Sequence, residues 1–329
     1  MLIGLESFSY HLSFSFGKMD LFSFIRKTKE LGLDGVEINI EGDDLGHLKD
    51  DSQENLRQIR ALCEDLGLFI ELDACGTAPA KLRHYLEICT SLGADRLRTY
   101  SSFGGDVKQE MAQAIRDFKE VAPAFADAGV RIAYENHEYE SSDDILRVIE
   151  AIGSPVVGAH IDTGNSMMLW EDPVMAVRNM APKAVSSHFK DHLVIEVNGM
   201  PMIVGVPLGS GAIDLAECYR ILAEETDLSR INIEVCYGYL APFRVEQAKG
   251  EGASLGEGPF VVVPPPFNPT VVAPHLLKPK KDGFKSYAWQ ENANLVDEGD
   301  LDQLIAWQER SVAASVEYVK RLRDDYQGG

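Results

Sequence analysis

Gly129-Val130-Arg131-Ile132-Ala133-Tyr134-Glu135-Asn136-His137 is the stretch whose reading decides the fold. A short β-branched run bounded by glycine reads as a buried strand, and polar residues crowd its C-terminal end. Three later runs end the same way: His160-Ile161-Asp162-Thr163-Gly164-Asn165, Ser187-His188-Phe189-Lys190-Asp191 and Ile233-Glu234-Val235-Cys236. Strand C-termini are where α/β barrels place their chemistry.

Upstream, one phrase repeats. Leu31-Gly32-Leu33-Asp34-Gly35-Val36, Leu66-Gly67-Leu68-Phe69-Ile70, Leu92-Gly93-Ala94-Asp95-Arg96 and Ala128-Gly129-Val130-Arg131-Ile132 each read as a helix end, a capping glycine and a strand. The spacing is about 30 residues, one βα unit. Strands are predicted at 3–8, 35–40, 69–73, 96–100, 131–135, 156–161, 184–189 and 231–235. Amphipathic stretches between them predict the intervening helices. Eight such units predict an α/β fold of a single (β/α)8 TIM barrel spanning 1–329. No glycine-rich dinucleotide fingerprint follows an early strand, which argues against an open Rossmann sheet.

The pattern breaks at 237–300. Gly250-Glu251-Gly252, the run Val261-Val262-Val263-Pro264-Pro265-Pro266, and Pro269, Pro274 and Pro279 predict extended, solvated backbone. This long Pro/Gly-rich insertion leaves the C-terminal rim between the last strand and the last helix. It is read as a lid or subunit contact. A helical pattern from about Leu301 to Leu322 closes the barrel.

The 329 residues are 45% apolar, enough for a large core, and carry a formal net charge of -21. That field argues against nucleic acid or an anionic membrane as partner. The N-terminus reads as a first strand rather than a signal peptide, and no apolar run approaches the roughly 18 residues of a membrane span. Five scattered cysteines fit reduced thiols in the cytoplasm.

Glu135, Asp162, His188 and Glu234 are therefore read as ligands of one divalent metal. Carboxylate and imidazole suit Mn²⁺, the first expectation, as well as Mg²⁺, Co²⁺ or Zn²⁺. Donors from four neighbouring strands can leave positions open for substrate oxygens. His137 lies two residues past Glu135, on the same strand face, and is a candidate base or substrate contact. Lys190 is expected to hold a substrate oxyanion, and Asp191 to orient a ligand or contact substrate. Asn165 and Glu37 are further substrate contacts, although a strand-end acid such as Glu37 or Glu71 is commonly a rim residue or half an ion pair. His11, His47, His84, His192 and His275 are assigned to surface or core. Gly209-Ser210-Gly211 opens a helix where barrels often bind phosphate, with an ordinary capped start preferred.

At these residues the chain resembles the xylose isomerase-like TIM barrel family of sugar isomerases, 3-epimerases and DNA-repair endonucleases. The carrying motifs are Gly35-Val36-Glu37, Glu135-Asn136-His137, Asp162-Thr163-Gly164-Asn165, His188-Phe189-Lys190-Asp191 and Glu234. The resemblance implies metal ligation by Glu135, Asp162, His188 and Glu234, and in the epimerases the two glutamates as the acid–base pair. Many family epimerases have histidine where this chain has Asn165, and the insertion is longer than in typical members. These departures favour a divalent-metal-dependent lyase or decarboxylase of a small oxo-sugar acid, working through a metal-stabilised enediolate. The 3-oxo-isoapionate decarboxylases are one such branch. Alternatives are a ketose isomerase or 3-epimerase, the large subunit of a C-glycoside deglycosidase with a smaller partner subunit, and a non-catalytic sugar-binding barrel. The implied partner is a small polyhydroxy carbonyl substrate, with homo-oligomerisation open.

Overall fold

The computed structural model describes residues 1–42, 44–101, 105–246, 254–274 and 298–328. Gly250-Glu251-Gly252, His275 and Pro279 lie outside the described residues. In chain order the strands are β1 (Leu2–Glu6), β2 (Gly35–Asn39), β3 (Phe69–Asp73), β4 (Arg96–Thr99), β5 (Arg131–Glu135), β6 (Val157–Asp162), β7 (Ala184–Phe189), β8 (Asp191–Val197), β9 (Met200–Val206), β10 (Arg230–Ile233), β11 (Leu240–Pro242) and β12 (Val262–Val263). The helices are α1 (His11–Ser15), α2 (Leu21–Glu30), α3 (Gln53–Leu66), α4 (Pro79–Leu92), α5 (Val107–Ala128), α6 (Ser142–Ile152), α7 (Pro173–Met180), α8 (Leu215–Glu225) and α9 (Glu298–Gly328).

Strands β1-β10-β7-β6-β5-β4-β3-β2 close a barrel in that order, all neighbours parallel. Alternation sorts each strand into two faces. On β5, Tyr134 turns outward and meets Phe118 of α5 edge-on, with ring centroids 5.4 Å apart. Ala133 and Glu135 then fall on the opposite, inner face. At the N-terminal mouth, buried Glu71 takes Asn232 Nδ2 at 2.8 Å, Arg96 at 3.0 Å and Arg230. Glu71 is thus an ion-pair residue that does not line the cavity.

A second sheet, ordered β11-β9-β8-β12, crosses the C-terminal rim. Its centre is an antiparallel hairpin, β8 against β9, turned at Asn198 and Gly199 with φ of 52° and 78°. Two consecutive positive φ angles make the tight turn that suits a twisted hairpin, which Asn-Gly accommodates. No element is predicted from the sequence between Phe189 and the helix start at Gly209-Ser210-Gly211, and this hairpin fills that stretch. The insertion is also less solvated than its prolines imply. β11 pairs with β9, and β12 pairs with β8 in parallel. Phe260 is fully buried beside Trp170, with ring centroids 5.3 Å apart. Prolines forbid helix here, but apolar Val262 and Phe260 have a sheet face to cover.

Candidate active site

Register brings the polar strand ends together. Glu135 pairs with His160, and Asp162 pairs with His188 on the next strand. Glu234 follows β10 immediately, its N–H donating to Phe189 O at 3.0 Å. Asn136 fixes the β5–β6 junction, accepting from Asp162 N at 2.9 Å and donating to Asp162 O at 3.1 Å. Glu135, Asp162, His188 and Glu234 are all buried.

The first three each aim one ligand atom at a common point, all within 4.8 Å of one another. His188 Nδ1 lies 3.8 Å from Glu135 Oε1, 4.0 Å from Asp162 Oδ2 and 2.7 Å from Glu234 Oε2. Glu234 therefore joins the set through His188. The opposite nitrogen, His188 Nε2, meets Glu37 Oε2 at 2.8 Å. A carboxylate behind a histidine sets the ring's orientation and raises its basicity. Glu37 is fully buried and outside the cavity lining, so it supports His188 through Oε2, while its Oε1 is a buried oxygen without a hydrogen-bond partner among the described residues.

Asp162 and Glu234 each give one oxygen to the protein and keep another for the centre, whereas Glu135 turns Oε1 toward the centre and Oε2 to Arg98. Asp162 Oδ1 accepts from Gly164 N at 2.7 Å and Asn165 N at 2.8 Å. Glu234 Oε1 accepts from Cys236 Sγ at 3.3 Å, and Glu135 Oε1 from Asn165 Nδ2 at 3.4 Å. Lys190 Nζ stands 2.9 Å from both Asp162 Oδ2 and Glu234 Oε2, while Arg98 pairs with Glu135, Asp73 and Glu41. Burial raises the Glu135 carboxyl to about 8 against the pull of Arg98, and burial with the charge of Asp73 holds Glu6 well above its usual range. Burial would raise Glu234 too, but Lys190 and His188 overcome it and hold that carboxyl well below the usual range. Converging, incompletely neutralised carboxylates and one imidazole nitrogen fit a hard or borderline divalent cation.

The centre opens on a cavity of about 330 Å³ whose lining includes His137, Asn165, Lys190, Glu234 and Cys236. That volume is at the lower end of small-molecule sites, about 300–1,000 Å³. His137 stacks on Tyr100 with ring centroids 3.7 Å apart, and its burial keeps it neutral by lowering its pKa well below the ordinary value. From the insertion side, Tyr239 and Arg244 reach the wall, where both meet Glu138.

Asp191 is displaced from the role expected of it. Its carboxylate accepts from Gly209 N and Gly211 N at 2.9 Å, Ile213 N at 3.3 Å and its neighbour His192 N at 3.0 Å. It occupies the amide nest that Gly209-Ser210-Gly211 offered to phosphate, and a Cβ on Gly211 would fall 2.0 Å from its Oδ1. The nest holds an internal anion, and Asp191 touches neither cavity nor ligand set.

Sequence reasoning missed Arg98, His160 and His192. Arg98, on β4, lies among residues whose signal is a charge in a buried strand. His160 lies two residues before Asp162 and therefore on the same inner face; its Nδ1 meets Ser186 Oγ at 2.7 Å. His192, assigned to surface or core, lines the cavity because β8 folds back over the rim. The Asn198-Gly199 turn was the available signal for that hairpin.

Residues 25–254 match the family described as Xylose isomerase-like TIM barrel, and the chain belongs to that family. It is an enzyme. The chain is 27% identical over 238 residues to a protein of Pectobacterium atrosepticum named 3-oxo-isoapionate decarboxylase, covering 70% of this chain and 84% of that one. Among solved structures, D-psicose 3-epimerase of Clostridium cellulolyticum H10, determined with D-tagatose, superposes with a TM-score of 0.58 at 14% identity, covering 96% and 99% of the two chains. IOLI protein, determined with a zinc atom, gives 0.57 at 16% identity, covering 71% of this chain and 89% of that one. Among the described residues, no helix is long and apolar enough to cross a membrane.

Proposed function

We propose that this chain is a divalent-metal-dependent decarboxylase of a small oxo-sugar acid. The observation that carries the reading is the convergence of Glu135, Asp162 and His188 Nδ1 on one point, joined through His188 Nδ1 by Glu234, which with Lys190 lines the adjoining cavity. The named decarboxylase, more similar in sequence than the epimerases, supports the lyase over its relatives. Glu135, Asp162, His188 and Glu234 would hold the cation, with Mn²⁺ first and Mg²⁺, Co²⁺ or Zn²⁺ able to substitute; it would supply Lewis acidity to a carbonyl and its neighbouring hydroxyl. Lys190 holds the substrate's carboxylate, and Asn165 and His137 contact its hydroxyls. The bond between the carboxyl carbon and the α-carbon breaks, its electron pair passes into the enolate, and CO2 leaves. The Glu135–Glu234 pair returns a proton to carbon. Tyr239 and Arg244 cover the cavity from the insertion, and the protein works in the cytoplasm.

Stripping the protein with a chelator and assaying 3-oxo sugar acids with and without Mn²⁺ tests this. Metal-dependent CO2 release is expected; turnover indifferent to metal removes the reading. A second reading, a ketose 3-epimerase, is favoured by two glutamates whose carboxylates both face His188 Nδ1. It calls for solvent deuterium in the recovered ketose with no CO2.

A further inference from the structure

The ammonium of Lys190 stands on the two oxygens that the metal reading requires. Asp162 Oδ1 is occupied by two backbone N–H groups and Glu234 Oε1 by the Cys236 thiol. Asp162 Oδ2 and Glu234 Oε2 are what is left, and both contact Lys190 Nζ at 2.9 Å. The same two oxygens face His188 Nδ1, at 4.0 Å and 2.7 Å. An ammonium and a divalent cation thus compete for one pair of oxygen atoms. In a buried site of low dielectric, like charges at such separations repel strongly.

We infer that Lys190 is a tethered counter-ion, which a divalent cation displaces from Asp162 and Glu234 so that its ammonium is freed into the cavity only when the cation is in place. This rests on the proposed metal site and deepens it by making substrate-carboxylate binding conditional on metal. The exchange needs only side-chain motion. Lys190 N donates to Thr163 Oγ1 at 2.8 Å, and that hydroxyl donates back to Lys190 O at 2.7 Å, so the backbone is held at both groups. The side chain already lines the cavity, and Asn165 Oδ1, 3.5 Å from Nζ, is an acceptor outside the ligand set. Metal-free protein then carries its own cation over the acids, and loaded protein presents that cation to an anionic substrate.

Reductive methylation of the full chain, with and without saturating Mg²⁺ and read by peptide mass spectrometry, tests the exchange. Calorimetric titration with Mg²⁺ alone monitors metal binding separately. Dimethylation of Lys190 is expected to rise at least fivefold with Mg²⁺, while exposed Lys119 stays constant as an internal standard. Lys190→Met is expected to bind Mg²⁺ about tenfold more tightly, since no ammonium must be displaced. Mg²⁺ binding with Lys190 labelling unchanged or reduced overturns the exchange and leaves the metal site standing. Weaker Mg²⁺ binding by Lys190→Met, in a variant with native circular dichroism, also overturns it. Absence of Mg²⁺ and Mn²⁺ binding by the native chain removes the metal reading and the exchange together.

Discussion

Glu37 and Asp191 are acids near the catalytic rim that work on other parts of the protein. Glu37 fixes the His188 ring through Nε2. Glu37→Gln should therefore weaken Mn²⁺ binding about 10–100-fold, as loss of a carboxylate behind a ligand histidine does elsewhere. Calorimetry would show this, with circular dichroism unchanged; unaltered affinity would deny Glu37 that role. Asp191 instead satisfies the amides of Gly209, Gly211 and Ile213. Asp191→Ala leaves the buried Ile213 amide without an acceptor, at about 1–3 kcal/mol before relaxation, and also frees the less buried amides of Gly209 and Gly211. Urea unfolding should report a loss of at least about 2 kcal/mol, and Mn²⁺ affinity of the folded variant should hold. A selective loss of metal binding would return Asp191 to the site.

At the scale of elements, the hairpin and the insertion form one covering sheet. Gly205 of β9 permits its closest approach, since a Cβ there would sit 2.3 Å from Cys236 O. That contact ties β9 to the segment carrying Glu234. Phe260 anchors the far edge among Trp170 and Phe243, the latter 6.2 Å away between centroids. Phe260→Ala should cost about 3–5 kcal/mol if the sheet unfolds with the barrel. A much smaller loss in urea, with limited proteolysis near Phe260, would show the cover to be an independent unit.

Across the whole molecule, a neutral histidine far from the site is one source of acid sensitivity. Burial, then the charges of His11 and Lys49, push His47 from its ordinary 6.5 down to about 3, and its ring stacks on Phe14 at 3.9 Å. Between those pH values the unfolded chain binds a proton that the native chain refuses. The contribution of His47 to stability is thus full above about pH 6.5 and is lost as pH falls toward 3. The difference in thermal midpoint between the native chain and His47→Gln should shift against the native chain as pH falls from 7 to 4; a difference independent of pH would exclude His47. Excess Mn²⁺ should raise the midpoint of the native chain at pH 7, since about 2.7 kcal/mol accrues at a hundredfold excess over Kd. Asp162→Asn should abolish that rise.

The barrel was legible in the sequence because its evidence is local and repeated: glycine caps, strand runs and a βα period, each set by backbone chemistry within about 30 residues. The acids and His188 were legible for the same reason, since a strand's last inward residue can be located from its alternation. The division of labour among them was not. Whether Glu37 meets substrate or His188, whether Asp191 faces a ligand or a nest of amides, and whether Lys190 is free or paired depend on which side chains a closed ring brings opposite one another. Those distances are set by register between strands far apart in the chain. The hairpin lies between: its Asn-Gly turn was written in the sequence, but only the fold of β8 back over the rim put His192 at the cavity.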